Sequence, residues 1–416
     1  MSSSYRNASR LQLAVAGACA LASPVLLPGS LATAADTYVT PQVDLRAEYN
    51  DNFRLTPGGA GDSVNGYIAD AQALFGIATP RSDTSIRPRL RLQEYPDEDE
   101  LQRWEGFLDL RSRYDWQRAR LDVLGRYSRQ DSYNAETPTG EFDPLAPTDP
   151  TNADTGQVLV GETRDRFLFE PEYVFDLTER WEFGLEVQYE AVRYDADTGQ
   201  TTQVDYDFLA GGGSVTWALD QRSRVGLGGY VSKYEARDDS TETEAYGVDL
   251  GYAYQWSEVI GLEIDVFYEQ DDTTDFLPVP GEESTSGWGG AFTGYYEGEV
   301  SKWRASVGRN FIPTGSGGKA ESDLLRIQYD RDITERLSFR GAGRYEARTS
   351  LTERGSSDDR DYARADLSLE YMLAPTWFVR GGYSYIWQDR ESATDTADNN
   401  KIFLSAGYRG LGRQRR

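Results

Sequence analysis

Trp181-Glu182-Phe183-Gly184-Leu185-Glu186-Val187-Gln188-Tyr189 carries an apolar or aromatic residue at every second position, with charged, amide or glycine residues between. Successive side chains on a strand point to opposite faces, so this stretch has one greasy face and one wet face. A soluble sandwich shows the same alternation with its polar face outward. Here the pattern recurs about every 20 residues along the whole chain, behind an apolar N-terminal run. That combination predicts an all-β, single transmembrane antiparallel β-barrel, with lipid outside and water inside.

The N-terminus has the layout of a secretion signal. Arg6 and Arg10 form a positive start, Leu11 to Leu27 an apolar core, and Ala32-Thr33-Ala34 a small-residue cleavage site. Ser23 and Pro24 interrupt the run and no stop-transfer charges follow, which favours a cleaved peptide over an anchor. The apolar run continues past Cys19, so lipidation there is disfavoured. The expected division is residues 1–34 as signal peptide and 35–416 as barrel. Removing Met1 to Ala34, which hold Arg6, Arg10 and Cys19, takes the net charge from −26 to −28 and leaves no Cys and no His. A cysteine-free chain suits an exterior compartment, and such acidity argues against a nucleic-acid partner. Beyond residue 34 no run of 18 apolar residues occurs. A barrel needs only one apolar residue in two.

About eighteen strands can be counted. Upward strands are expected to begin near Thr37, Thr84, Ala119, Trp181, Arg224, Ile260, Lys302, Leu337 and Trp377. Downward strands are expected near Val64, Leu101, Arg164, Asp205, Thr243, Gly287, Ser322, Tyr362 and Lys401. Every second connection is short, and the others are mostly longer and rich in Asp, Thr, Ser, Gly and Pro. Short periplasmic turns alternating with longer exterior loops is the plan of outer-membrane barrels. Thr178-Glu179-Arg180-Trp181, Ser257-Glu258-Val259-Ile260, Thr334-Glu335-Arg336-Leu337 and Ala374-Pro375-Thr376-Trp377 each open an upward strand.

Six tryptophans, Trp116, Trp181, Trp217, Trp256, Trp303 and Trp377, lie beside short turns. Indole favours the bilayer interface, so these are expected to form a girdle on the periplasmic side. Tyr49, Tyr95, Tyr194, Tyr234, Tyr268, Tyr345 and Tyr385 sit near the other strand ends and are expected to form a second.

The absence of histidine excludes a Ser-His-Asp hydrolase and a His-ligated metal enzyme. No catalytic residue, metal ligand or cofactor is expected. Gly315-Ser316-Gly317-Gly318-Lys319-Ala320 reads as a flexible loop tip and not a phosphate loop. Asp195-Ala196-Asp197-Thr198-Gly199 misplaces the glycine of a calcium loop.

Charges on the polar faces are the candidates for pore lining. Arg87, Arg89 and Arg91 alternate along the third strand, Arg111 and Arg113 along the fourth, Arg120 and Arg126 along the fifth, and Arg340, Arg344 and Arg348 along the fifteenth. Acidic residues concentrate on the seventh strand (Glu182, Glu186) and the eleventh (Glu263, Asp265). Opposed basic and acidic walls would set a transverse field across a water-filled pore. Alternatively, the charges neutralise one another in a plugged lumen. The longest exterior loop, Ser132 to Thr163, has four prolines, six acidic residues and no Lys or Arg. It either folds into the mouth or stays in solvent, and its composition favours mobility.

Glu48-Tyr49-Asn50-Asp51-Asn52-Phe53-Arg54-Leu55 resembles the Tyr-x-Asp-Asn-hydrophobic signature of outer-membrane barrels from exopolysaccharide and capsule loci, including exosortase-associated ones. Lys401-Ile402-Phe403-Leu404-Ser405-Ala406-Gly407-Tyr408-Arg409 resembles a barrel-assembly signal, although eight residues follow Tyr408. The resemblance implies a porin-like barrel in the Gram-negative outer membrane that exports an extracellular polysaccharide. Its implied partners are outer-membrane lipid and lipopolysaccharide, the barrel-assembly machinery and polysaccharide secretion components. The competing readings are a general diffusion porin for small anionic solutes and a closed barrel that anchors or binds surface polymer.

Overall fold

A computed structural model describes residues 35–411, apart from residues 60, 62, 97, 99, 100, 143–161, 197–202, 239, 277–280, 316, 317, 352–358 and 392. The expected signal peptide lies outside the described residues. The described chain runs through β1 (Asp36–Asn50), β2 (Val64–Ala78), β3 (Ser82–Glu94), β4 (Arg103–Asp115), β5 (Ala119–Asp131), the short helix α1 (Ser132–Glu136), β6 (Glu162–Asp176), β7 (Trp181–Ala196), β8 (Tyr206–Ala218) and β9 (Ser223–Ala236). It continues through β10 (Thr241–Gln255), β11 (Ile260–Asp275), β12 (Gly281–Glu297), β13 (Ser301–Thr314), β14 (Gly318–Asp332), β15 (Leu337–Ser350), β16 (Arg360–Ala374), β17 (Trp377–Arg390) and β18 (Ala397–Arg409). Each strand pairs antiparallel with its neighbours in sequence, and β1 pairs β18 from Gln42↔Arg409 to Asn50↔Lys401. The sheet therefore closes on itself, as a backbone must in lipid, where an unpaired amide finds no water. Eighteen strands are present, as counted from the alternation. Their upward members begin within two residues of the expected positions.

Alternation decides the two faces. Leu45, Leu227, Val231 and Leu404 are all about 60% exposed on the outer surface. Along β11, Ile264 and Val266 are exposed outward, while Glu269 and Asp271 on the opposite face are buried within the lumen. The six turn-proximal tryptophans are all exposed, and Trp181 stacks on Trp217 with ring centroids 5.5 Å apart. At the opposite strand ends Tyr49 and Tyr345 are also exposed, and Tyr268 packs against Trp288. The second girdle nevertheless loses three of its expected members. Tyr95 and Tyr234 are buried, and Tyr194 packs against the cluster of Val192, Tyr206, Tyr234 and Ala236. Tyr194 shares its face with Glu186 and Glu190, which points inward, and elements folded into the mouth supply the partners that bury these rings.

The recurring turn sequence has a local cause. Thr178 Oγ1 accepts the backbone N–H groups of Arg180 and Trp181. Ser257 Oγ, Thr334 Oγ1 and Thr79 Oγ1 do the same for residues two and three ahead. Asp220 Oδ1 serves Arg222 and Ser223, and the N–H of Arg222 with the Ser223 side chain holds this exposed carboxyl below its usual range. Each turn thus satisfies its own amides by a side-chain oxygen.

Two segments enter the exterior mouth. Residues 132–142 of the long loop cross the lumen from β5 to the far wall, as the contacts below show. The second segment is the end of the β13–β14 hairpin. β13 pairs with β12 only from Lys302↔Glu297 to Arg309↔Gly290, whereas β12 pairs with β11 along its full length. Above that point the hairpin leaves the wall. The Tyr234 hydroxyl donates to Thr314 O at 3.1 Å, Val204 N–H donates to Gly315 O at 2.7 Å, and Phe311 stacks edge-on to Phe267 at 6.0 Å.

Candidate functional site in the lumen

The arginine rows lie on the inner face, and the structure gives most of them carboxylate partners on adjacent strands. Arg87 meets Asp109 at 2.7 Å, Arg89 meets Asp70 at 2.5 Å, and Arg91 bridges Asp70 and Glu105 at 3.1 Å each. Arg113 and Arg120 share Asp122, each at 2.7 Å, and Arg126 reaches Asp109 at 4.0 Å. Arg340 pairs with Asp330 at 2.6 Å, while Arg344 and Arg348 share the buried Glu346 at 2.7 and 3.1 Å. Arg111 lines the same wall as Arg113. Cross-strand neighbours on one face sit within side-chain reach, so a basic row beside an acidic one closes into a ladder of pairs.

The acidic wall is built differently. Glu182 has only Arg224, at 3.8 Å. Glu186, Glu263 and Asp265, with Asp249 on β10, make no hydrogen bond or ion pair among the described residues. Glu186, Asp249 and Asp265 instead lie against Gly212, Gly228 and Gly251 on neighbouring strands, where a β-carbon would leave their carboxylates little room.

Residues 132–142 of the long loop are seated on the basic wall, whereas its composition suggests mobility for the loop as a whole. Asp131 caps α1 by accepting Tyr133 N–H at 2.9 Å. Beyond the helix, backbone carbonyls become the anchors. Arg360 Nη2 donates to Glu136 O, Arg364 Nη1 to Thr137 O, the Tyr362 hydroxyl to Pro138 O, and Arg326 Nη2 to Glu141 O. Phe142 lies under the Arg326 guanidinium, 4.1 Å from the ring centroid, and its N–H donates to Gln328. Gly140 rests on the backbone of Gly343, and a β-carbon there would collide with that strand. The described part of an acidic segment without cations of its own is thus held by arginines of β14 and β16, nine and eleven strands after β5 in sequence. Residues 143–161 of the loop lie outside the described residues.

The Glu48–Leu55 motif works at the same end. Asn50 and Asn399 are fully buried and hydrogen-bonded to each other across the β1–β18 closure, and Asn399 Nδ2 also donates to Asn52 O at 2.6 Å. Asn400 binds Asp51 through its backbone N–H and its side chain. Phe53 stacks on Tyr133 at 4.3 Å and edge-on to Tyr95 at 5.0 Å. Burial pushes both phenols far above their usual range, with the Glu48 carboxylate adding to the effect at Tyr95. The motif closes the barrel and seats the loop, so its residues have a structural reason that involves no cargo.

Lys319 is the main residue the sequence reading missed. It is no loop tip: its ammonium is buried between Glu269 at 2.5 Å and Asp271 at 2.6 Å, and Glu269 also accepts the Tyr230 hydroxyl at 2.7 Å. This holds the β13–β14 hairpin inside the mouth.

Two cavities result. Beneath the long loop lies one of about 490 Å³, lined by Arg46 of β1, Arg89 and Arg91 of β3, Arg164 and Arg166 of β6, Arg340, Arg364 and Arg380 of β15 to β17, and Lys401 of β18, with only two carboxylates, Glu141 and Asp366. Beneath the hairpin lies one of about 730 Å³ where the balance reverses. There Asp122, Glu170, Glu172, Glu186, Asp249, Asp265 and Glu269 face Arg111, Arg113, Arg120 and Lys319, beside Phe208, Tyr230, Phe267 and Phe311.

No protein-family model and no curated protein matches the sequence. Among solved structures the chain is similar to Pseudomonas aeruginosa OpdK crystallised with vanillate, at 11% identity and TM-score 0.45, covering 90% of this chain and 99% of that one. It is also similar to P. aeruginosa OccK9 (OpdG), at 12% identity and TM-score 0.43 over 90% of this chain and 98% of that one. A third is Acinetobacter baumannii OccAB3, at 11% identity and TM-score 0.44 over 90% and 99%.

Proposed function

We propose that this barrel is a diffusion channel of the Gram-negative outer membrane, passing small anionic solutes and carrying out no catalysis. One observation carries the reading: nine cationic side chains and two carboxylates line the cavity under the long loop. Seven of the nine are paired with carboxylates, and Arg46 and Lys401 have no ion pair among the described residues. A low-dielectric wall focuses the potential of these two on the lumen and favours anions there. Guanidinium groups spaced along strands also offer a carboxylate successive bidentate partners. Export of a polysaccharide finds no comparable support, because the motif that suggested it is used in barrel closure. Partners then reduce to outer-membrane lipid and lipopolysaccharide, with the assembly machinery during biogenesis.

Reconstitution in planar bilayers tests the proposal. Under a salt gradient at roughly 0.01–0.1 M, where charges are weakly screened, the expected result is steady current with a reversal potential on the anion-selective side. A folded barrel that carries no current, or one that prefers cations, would end it; the first outcome would leave the closed, polymer-binding barrel.

A further inference from the structure

We infer that Lys401 and Arg46, on either side of the seam where β18 meets β1, form a binding site for a small organic carboxylate in the cavity beneath the long loop. The inference deepens the channel reading by giving its lumen a defined place where a solute pauses.

The case starts from what the neighbouring cations already hold. Arg89 and Arg91 hold Asp70, with Arg91 also on Glu105; Arg364 holds Asp366 and Arg380 holds Glu370. Lys401 is 8% exposed and makes no hydrogen bond and no ion pair among the described residues. Its ammonium faces the Tyr133 ring from 5.9 Å. Arg46 lies flat over Phe403 at 4.5 Å, its Nε is buried without an acceptor, and it too has no ion pair among the described residues. The nearby Glu48 accepts the Tyr95 hydroxyl at 3.1 Å and comes within ion-pair distance of neither cation.

Two cations on one cavity wall, neither with an ion-pair partner among the described residues and Lys401 buried, repel each other and lack part of their hydration, a cost that Glu48 near both only partly offsets. An anion between them removes both costs, and both cations line the same cavity. Its volume of about 490 Å³ falls within the range of sites for small organic molecules. Phe107 and Phe403 offer an apolar side, and Gln130 and Asn134 offer polar contacts. An inorganic oxyanion would use the charge and leave the rest of that lining idle.

The test is calorimetric titration of the purified full barrel in detergent with succinate, benzoate and sulfate. The expected result is saturable binding of at least one carboxylate, and weaker binding of sulfate. Lys401→Met keeps the side-chain length and loses the charge, so carboxylate affinity should fall roughly tenfold to a hundredfold. Lys401→Arg should restore most of it, and thermal stability of Lys401→Met should hold or rise, since a buried unpaired charge has gone. Arg46→Gln provides a second, independent loss if the first variant assembles poorly. Absence of carboxylate binding by the native barrel, or equal binding by native and Lys401→Met proteins, would overturn the site. Sulfate bound as tightly as the carboxylates would overturn its organic selectivity. Binding in detergent needs no current, so a barrel that binds without conducting sinks the channel and leaves the site. Anion current without Lys401-dependent binding does the reverse.

Discussion

Under the long loop, arginines from β3, β15, β16 and β17 meet carboxylates on a neighbouring strand or two residues along their own, and arginines of β14 and β16 meet carbonyls of the loop itself. Across the lumen, Glu186, Asp249 and Asp265 lie against glycines. The two halves carry similar kinds of side chain on the same alternating strands. Yet the loop is seated on one by many polar contacts, while the other keeps a larger cavity lined in part by carboxylates without ion pairs among the described residues. The difference lies in what the rows contain. Around the loop Arg326, Arg344 and Arg364 face one another across β14, β15 and β16, as do Arg348 and Arg360, and Glu346 and Asp366 sit two residues along the same strands. In that arginine-rich stretch, guanidinium N–H groups reach past the wall to backbone carbonyls. A foreign segment can then be seated, and residues 132–142 are. Where carboxylates face glycine, no cation reaches Glu186, Asp249 or Asp265 among the described residues. Each half thus carries a segment folded into the mouth: the loop held by arginines over the basic cavity, and the hairpin pinned by Lys319 between Glu269 and Asp271 over the larger acidic one.

The largest effect should come from breaking the filled half at its most buried pair. Glu346 is shared by Arg344 and Arg348, and all three side chains are buried. Glu346→Gln leaves two cations without a counter-charge, an imbalance that typically costs about 3–5 kcal/mol. Denaturant unfolding in detergent micelles gives the value. Asp265→Asn, the matching change on the open half, should stay within about 0.5 kcal/mol of the native barrel. Equal losses from the two substitutions would remove the distinction between the halves.

A smaller effect should come from lifting the loop off its seat. Gly140 contacts the backbone of Gly343, so Gly140→Leu must push the loop tip away from β15. Overpacking of this kind costs about 1–3 kcal/mol, and the strand pairing of the wall is untouched. Single-channel conductance should rise because the obstruction is displaced. An unchanged conductance in a folded Gly140→Leu barrel would show that the loop lies outside the path of the current.

How much of this was legible in the sequence follows from what alternation can and cannot encode. The period of two assigns Ile264 outward and Asp265 inward without any partner being known. The turn oxygens of Thr178, Ser257 and Thr334 act within three residues, so strand starts could be placed closely. The seat of the loop could not be read this way, because its holders, Arg326, Arg360 and Arg364, lie some 185 to 227 residues from the carbonyls they bind. Composition alone called that segment mobile. Lys319 was missed for the same reason: beside a run of glycines it resembles a loop tip, while its partners Glu269 and Asp271 sit on β11. One signal was available for Tyr194, whose register with Glu186 and Glu190 places it inside. The Glu48–Leu55 motif was recognisable as a pattern, but its work, joining β1 to β18, depends on Asn399 and Asn400 at the far end of the chain.

The smallest expected effect on stability is also the sharpest test of which half solutes follow. Glu186→Gln, Asp249→Asn and Asp265→Asn, made together, remove three charges that hold no ion pair among the described residues. Thermal unfolding should therefore stay close to that of the native barrel, since no buried cation is left stranded. Permeation should respond more. If anions pass the basic cavity while the acidic wall opposes them across the lumen, losing three negative charges should move the reversal potential further toward anion selectivity. The shift should be largest at low ionic strength and should fade as the Debye length falls from about 10 Å at 0.1 M to about 3 Å at 1 M. No shift at low salt, in a barrel that still conducts, would mean that the acidic half neither carries solutes nor shapes the field they feel. The open cavity under the hairpin would then be a water-filled space closed off by Lys319 and its two carboxylates.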